Sequence, residues 1–316
     1  MEKRQLGAST LAVSPLAFGG NVFGWTVDEP RSFELLDAYV AAGGNFIDTA
    51  DMYSRWKPGN RGGESETIIG RWMKARGNRH DVILATKVGM EMGPDAKGLS
   101  RRYILQAVEA SLARLQTDFI DLYQSHTDDP DTPIDDTLET YDLLVKEGKV
   151  RVIGASNFAT DRMRASLDAS KAHRWPAYCS LQPHYNLMER SGFEGDLQNL
   201  CVARGVGVIP YFPLAAGFLS GKYRSEADLG KSPRGKALAK YLDERGLRVL
   251  AALDRAAQAH DTQPAAVALA WLLEQPAITA PIVSATSVEQ LQASLRATEL
   301  KLPPETLADL NRASAV

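Results

Sequence analysis

Short apolar runs, rich in β-branched and aromatic residues, punctuate the chain at 16–20, 45–48, 82–87, 119–125, 150–155, 178–182, 206–211 and 281–283. Between them apolar residues recur every three or four positions, the spacing of one buried helix face. Over 133–147, Ile134, Leu138, Tyr141 and Val145 fall at offsets of 0, 4, 7 and 11. Thr132 supplies a cap there, Pro133 occupies the first turn and Gly148 follows the end. Ser100 similarly opens a helix whose inner face is Ile104, Val108, Leu112 and Leu115. Residues 3–13 read as a hairpin and 303–313 as a terminal helix. Strands alternating with helices imply right-handed crossovers and a parallel sheet, and eight such units predict closure into an α/β (β/α)8 barrel, a TIM barrel. A doubly wound open sheet is the competitor. It lacks its dinucleotide fingerprint, because Gly19-Gly20-Asn21-Val22-Phe23-Gly24 has the wrong spacing after the first strand, and no P-loop is present.

Composition narrows the function classes. With 36 Lys and Arg against 39 Asp and Glu, the net charge is −3, and no basic field points to nucleic acid. Cys179 and Cys201 are the two cysteines, too few for a disulfide framework or a four-cysteine zinc site. The start, MEKRQLGAST, lacks the apolar core of a signal peptide, and the uncharged stretch 205–221 contains Pro210 and Pro213 and is too short to span a membrane. No linker or low-complexity tract divides the sequence. The expectation is a single cytoplasmic domain over 1–316, with no membrane or nucleic-acid partner and no metal; oligomeric state is not legible.

The ends of the runs carry polar residues that a packed core would not select: Asp48, Lys87, His126, Ser156 with Asn157, Gln182 and Tyr211. Singly, each is an ordinary surface charge or structural histidine. In a (β/α)8 barrel, however, the carboxyl ends of the strands converge on one face, and side chains of this kind arriving there together make a site. A metal-dependent hydrolase using His126 and Asp48 is the poorer reading, since zinc wants further His or Cys neighbours and the chain has five histidines, most of them elsewhere.

The motifs FGGNVFGW, NFIDTADMY, GESETIIG, ILATKVG, DFIDLYQSH, VRVIGASNF, QPHYN, YFPLAAGFLSGKY and SATSVEQL, in that order, resemble the aldo-keto reductase superfamily over essentially the whole chain. The likeness is nearest to bacterial and fungal members of the aryl-alcohol-reductase-like type. It implies the same barrel and a NAD(P)H-dependent oxidoreductase that interconverts a small aldehyde or ketone and its alcohol. It also implies a catalytic tetrad of Asp48, Tyr53, Lys87 and His126. Carbonyl reduction needs a hydride on carbon and a proton on the developing alkoxide. A phenol of pKa ~10 is a poor base for the reverse step at neutral pH, and an ammonium beside it favours the phenolate. Lys87 fits that role, with Asp48 holding it charged, while His126 orients the carbonyl oxygen. By the same resemblance Ser156, Asn157 and Gln182 bond the nicotinamide carboxamide and Tyr211 stacks on its ring. Pro213, Leu214, Gly217, Leu219 and Lys222 line the rest of the cofactor, with Lys222 on the pyrophosphate. A regulatory subunit that senses cofactor and turns over slowly, as ion-channel β-subunits of this fold do, is the alternative.

The 2′-phosphate of NADPH is expected at Ser284, Thr286, Gln290 and Ser294. No cation stands there, and Ser287 with Gln290 spells a capping box. NADP(H) is therefore expected with weak preference, NAD(H) being used as well. The 219–246 connection carries seven basic and four acidic residues, a second source of positive charge. Between Tyr53 and Glu64 the chain runs SRWKPGNRGG, longer than the turn common in the family, and reads as a lid or a tolerated insertion. Trp56 within it, Trp25 and Met90 are candidate apolar walls of the substrate pocket. His184, inside QPHYN, is assigned a structural role.

Overall fold

The computed structural model describes residues 1–231 and 235–315. Two short antiparallel strands, β1 (Arg4–Gln5) and β2 (Ala12–Val13), form the expected hairpin, with Arg4 opposite Val13. The parallel strands follow: β3 (Ala17–Gly19), β4 (Phe46–Asp48), β5 (Ile83–Val88), β6 (Ile120–Ser125), β7 (Val150–Ser156), β8 (Tyr178–Gln182), β9 (Gly207–Val208) and β10 (Ile282–Val283). They pair in the order β10-β3-β4-β5-β6-β7-β8-β9. The ring closes between β9 and the approach to β10, where Thr279 N donates to Val208 O at 2.8 Å and Ile282 N to Pro210 O at 3.0 Å. This is the (β/α)8 barrel. β9 is shorter than the 206–211 run because Pro210 has no N–H for the ladder.

The helices are α1 (Glu29–Ala41), α2 (Glu64–Arg76), α3 (Arg101–Leu115), α4 (Ile134–Lys146), α5 (Thr160–His173), α6 (Asp196–Arg204), α7 (Glu244–Ala259), α8 (Pro264–Leu273), α9 (Val288–Leu295) and the terminal α10 (Pro304–Ser314). Among the described residues none is long and apolar enough to cross a membrane. Ser100 caps α3 as expected, accepting from Tyr103 N, and the four apolar residues on its inner face are buried. α4 differs in its cap. Pro133 takes that position, and the Thr132 hydroxyl donates instead to Asp129 Oδ2 at 2.7 Å, an acceptor brought near by the turn before it.

Strand side chains alternate between two cores, as a period of two requires. Phe18, Ile47, Leu84 and Tyr123 point outward into the layer shared with the helices. Ala17, Phe46, Ala85, Leu122 and Ile282 fill the interior, which the hairpin plugs at its amino end with Leu6, Leu11 and Val13. Continuing the inward set by two residues gives Asp48 after Phe46, Lys87 after Ala85 and Gln124 after Leu122. The uppermost interior layer is polar. Gly154 makes room for it: a Cβ there would meet Ser180 Oγ at 2.3 Å and Gln124 Cγ at 3.1 Å.

Candidate active site

At the centre of that layer Lys87 Nζ lies 2.6 Å from Asp48 Oδ1, 2.8 Å from Thr49 O and 2.8 Å from the Tyr53 hydroxyl. Both charged side chains are fully buried. Burial pulls the Lys87 ammonium below its ordinary value, opposed chiefly by the Asp48 carboxylate. An ion pair so enclosed is costly unless its remaining lone pairs are satisfied. Here Gln124 Nε2 and Gln182 Nε2 donate to Asp48 Oδ2 at 3.1 and 3.0 Å. Gln124, which the motifs did not single out, is thus a supporting member of the site. Its signal was present: a polar residue in the inward register of an apolar strand.

The pair and Gln124 lie under the floor of a groove of about 1070 Å³. Tyr53 and His126 open into it, as do Ser156, Asn157, Gln182 and Tyr211. Burial, and then the nearby Lys87 charge, hold the His126 imidazole well below its usual value, so it is neutral at neutral pH. Its ring meets that of Tyr53 edge-on at 5.9 Å, and its buried Nδ1 has no hydrogen-bond partner. Ser156 Oγ donates to Gln182 O, and the Tyr211 hydroxyl donates to Asn157 Oδ1. Asn157, Phe212, Ala215 and Ala216 adopt left-handed backbone with φ of 58, 51, 48 and 55°. Strain of this kind collects where a surface must be shaped for a ligand.

Pro213, Leu214, Gly217 and Lys222 line the groove, and so do Ser284, Thr286, Gln290 and Ser294. Leu219 does not. Its side chain is buried in the outer core beside Phe218, because the 3-10 turn over Ala215–Ser220 rotates that position inward. The capping box at α9 is also shifted. Ser287 accepts from Gln290 N, but Gln290 Oε1 accepts from Thr286 N and Oγ1, both at 3.0 Å, instead of from Ser287. The Ser284 hydroxyl donates to Asn21 Oδ1. Of the cations over 219–246, Arg224 is paired with Asp254, Lys231 with Asp228 and Lys240 with Glu189. Lys231 joins Lys222 along the groove, and Arg234 lies outside the described residues.

Trp25, Trp56 and Met90 wall the groove beside Tyr53, joined by Met52 and Phe212, which the motifs had not indicated. The Trp25 and Trp56 rings meet edge-on at 5.7 Å. The 54–63 loop is tied down on both sides. Ser54 Oγ donates to Phe23 O, Asn60 Nδ2 to Gly24 O, and Arg55 Nη1 to Glu91 O. It stands here as a fixed wall.

One buried charge escaped the sequence reading. Asp51, between Asp48 and Tyr53, is enclosed with neither carboxyl oxygen hydrogen-bonded. Burial first, and the Glu66 carboxylate second, push it up to about 8, against Arg114 and Lys87. Glu66 itself is answered by Arg114 Nε and Thr86 Oγ1, each at 2.6 Å. A carboxyl whose folded pKa lies above its unfolded value of ~3.9 binds more protons when folded, so stability falls as pH rises from ~4 to ~8. Asp51→Asn removes that loss. The expected result is a melting temperature several degrees above wild type at pH ~9 and little changed near pH ~4. A gain of equal size at both values would mean that Asp51 does not hold a proton.

The Aldo/keto reductase family model matches residues 15–315. The chain belongs to that family of oxidoreductases. It is similar to the oxidoreductase YrpG of Bacillus subtilis, 38% identical over 98% of this chain and 95% of the relative. Norsolorinic acid reductase of Aspergillus flavus is 30% identical over 95% of this chain and 78% of the relative. A probable voltage-gated potassium channel subunit beta of Arabidopsis thaliana is also 30% identical, over 95% and 92%. In this aldo-keto reductase the strand-end residues His126, Ser156, Asn157, Gln182 and Tyr211 line one groove, with Asp48 and Lys87 beneath it.

Proposed function

We propose that this aldo-keto reductase reduces aldehydes and ketones with NAD(P)H, reversibly toward alcohol oxidation, with Tyr53 as proton donor. The observation that supports this most is the line of hydrogen bonds from buried Asp48 through Lys87 to a tyrosine hydroxyl at the floor of a dinucleotide-sized groove. The groove fits such a cofactor. It exceeds the ~300–1,000 Å³ of ordinary small-molecule pockets. It offers an aromatic ring at Tyr211, amide and hydroxyl groups at Ser156, Asn157 and Gln182, and cations at Lys222 and Lys231. When bound, the reduced nicotinamide supplies a hydride to the carbonyl carbon. Tyr53 gives the developing alkoxide its proton, and Lys87 stabilises the phenolate left behind. Neutral His126, as the tautomer protonated on Nε2, donates to the carbonyl oxygen. In the oxidation direction the proton returns along the same hydrogen bond.

The walls at Trp25, Trp56, Met52, Met90 and Phe212 suit a hydrophobic carbonyl. Loss of reduced-nicotinamide absorbance with a panel of nitrobenzaldehydes and diketones tests the reading. Steady turnover on several members supports it. Tight NADPH binding without turnover favours the cofactor-sensing role suggested by the channel-subunit relative.

NADP(H) is the favoured cofactor, with NAD(H) also used. Gln290 is occupied at the entry to α9, and a 2′-phosphate there is met by hydroxyls and N–H groups, while Arg31, which lines a neighbouring cavity with Thr286, is paired with Glu34. A charge-assisted bond contributes roughly 1.5–3 kcal/mol, so Gln290→Arg is expected to raise the NADPH-over-NADH ratio of kcat/KM about tenfold or more. A wild-type preference already above about a thousandfold, some 4 kcal/mol, would mean that other cations make the contact.

A further inference from the structure

The 182–186 segment, Gln-Pro-His-Tyr-Asn, converges on Tyr211. Tyr211 N donates to Pro183 O at 3.0 Å, and Asn186 Nδ2 donates to Phe212 O at 2.9 Å. Between these bonds the His184 imidazole lies flat against the Tyr211 ring, with centroids 5.1 Å apart and planes within 15°. Tyr211 lines the groove, and His184, stacked on it, does not. Phe212 closes on His184 edge-on at 5.7 Å, brought there by its left-handed backbone.

We infer that His184 is a positioning residue: its ring backs Tyr211, so that the opposite face of Tyr211 is held as a rigid platform for the nicotinamide. This rests on the proposed role of Tyr211 as that platform. The hydroxyl bond to Asn157 fixes one end of the Tyr211 ring but leaves its tilt open. A parallel ring behind it removes the tilt, and a platform already flat loses less entropy when a second ring stacks on it. The chemistry of His184 agrees with a role played by its face. Its Nε2 is buried without a hydrogen-bond partner. Burial lowers its pKa, Lys240 acting in the same sense and Glu189 against, so the stack behind Tyr211 is uncharged at neutral pH. Glu189 and Lys240 are paired with each other at 2.9 Å, and Tyr241 also donates to Glu189.

The test compares His184→Leu, which keeps bulk but loses the flat ring, with His184→Phe, which keeps it. Two ligands are titrated by calorimetry: NADPH, and 2′-phospho-ADP-ribose, which lacks the nicotinamide. In His184→Leu the NADPH Kd is expected to rise about tenfold while the Kd of 2′-phospho-ADP-ribose stays within about twofold; in His184→Phe both stay near wild type. Equal loss for both ligands in His184→Leu, or no loss for either, overturns the inference. Should the leucine variant fail to fold, a His184→Phe protein that folds but loses NADPH selectively overturns it, and one that retains both supports it. Wild-type protein that binds neither ligand would instead refute the proposed function, a distinct outcome.

Discussion

Tyr53→Phe is expected to lower kcat by about 10²–10⁴-fold, the range contributed by a positioned general acid, while the Kd for NADPH changes less than about twofold. The substitution removes one oxygen and little else. The ring keeps its contacts with Trp56 and His126, both at 5.9 Å between centroids. Lys87 loses one of its three acceptors but keeps Asp48 at 2.6 Å and Thr49 O at 2.8 Å, so the buried ion pair stays intact. The melting temperature should therefore stay close to wild type, which separates loss of the acid from loss of the fold. Because the proton is needed in the chemical step and not in binding, kcat and kcat/KM should fall together. Retention of more than about a tenth of wild-type kcat would remove Tyr53 from the role of acid.

Tyr53 was legible in the sequence only through the family resemblance, as the last residue of the motif NFIDTADMY. Asp48 and Lys87 of the polar layer were legible as the polar ends of apolar runs. A period of two carries the inward face from Phe46 to Asp48 and from Ala85 to Lys87, so the chemistry continues the core pattern with the polarity reversed. What escaped was set by tertiary burial. Asp51 stands in a loop, where a carboxylate reads as solvated; only the packing of Glu66 and Arg114 around it makes it a buried acid. Gln124 was passed over because the run containing it already read as a strand end. Leu219 does not line the groove, because a motif names positions without saying which side chains face a cavity, and a 3-10 turn decided that. The Thr132 cap failed for a local reason: an aspartate three residues before it competes for the hydroxyl.

Lys87→Met should produce the second large effect, and one that is coupled where the first is clean. The ammonium serves two neighbours, the Tyr53 hydroxyl at 2.8 Å and Asp48 Oδ1 at 2.6 Å. Methionine occupies similar space but offers neither. Asp48 then keeps the amide donors of Gln124 and Gln182 and a long 3.4 Å bond from the Tyr53 hydroxyl, for a carboxylate with no exposure to water. Breaking a buried pair from one side costs roughly 3–5 kcal/mol, so the variant should melt well below wild type, unlike Tyr53→Phe. The catalytic consequence follows from the sign of the lost charge. A cation beside a phenol favours the phenolate, and methionine supplies none. In the oxidation direction, where the phenolate is the base, residual activity should rise with pH along a limb displaced upward from that of wild type. At neutral pH kcat should fall by about two orders of magnitude or more. The decisive measurement is the pH dependence of kcat for alcohol oxidation by the variant, taken where it remains folded. If the variant is merely slower, with its alkaline limb in the wild-type position, Lys87 supports the fold of the site without tuning the acid.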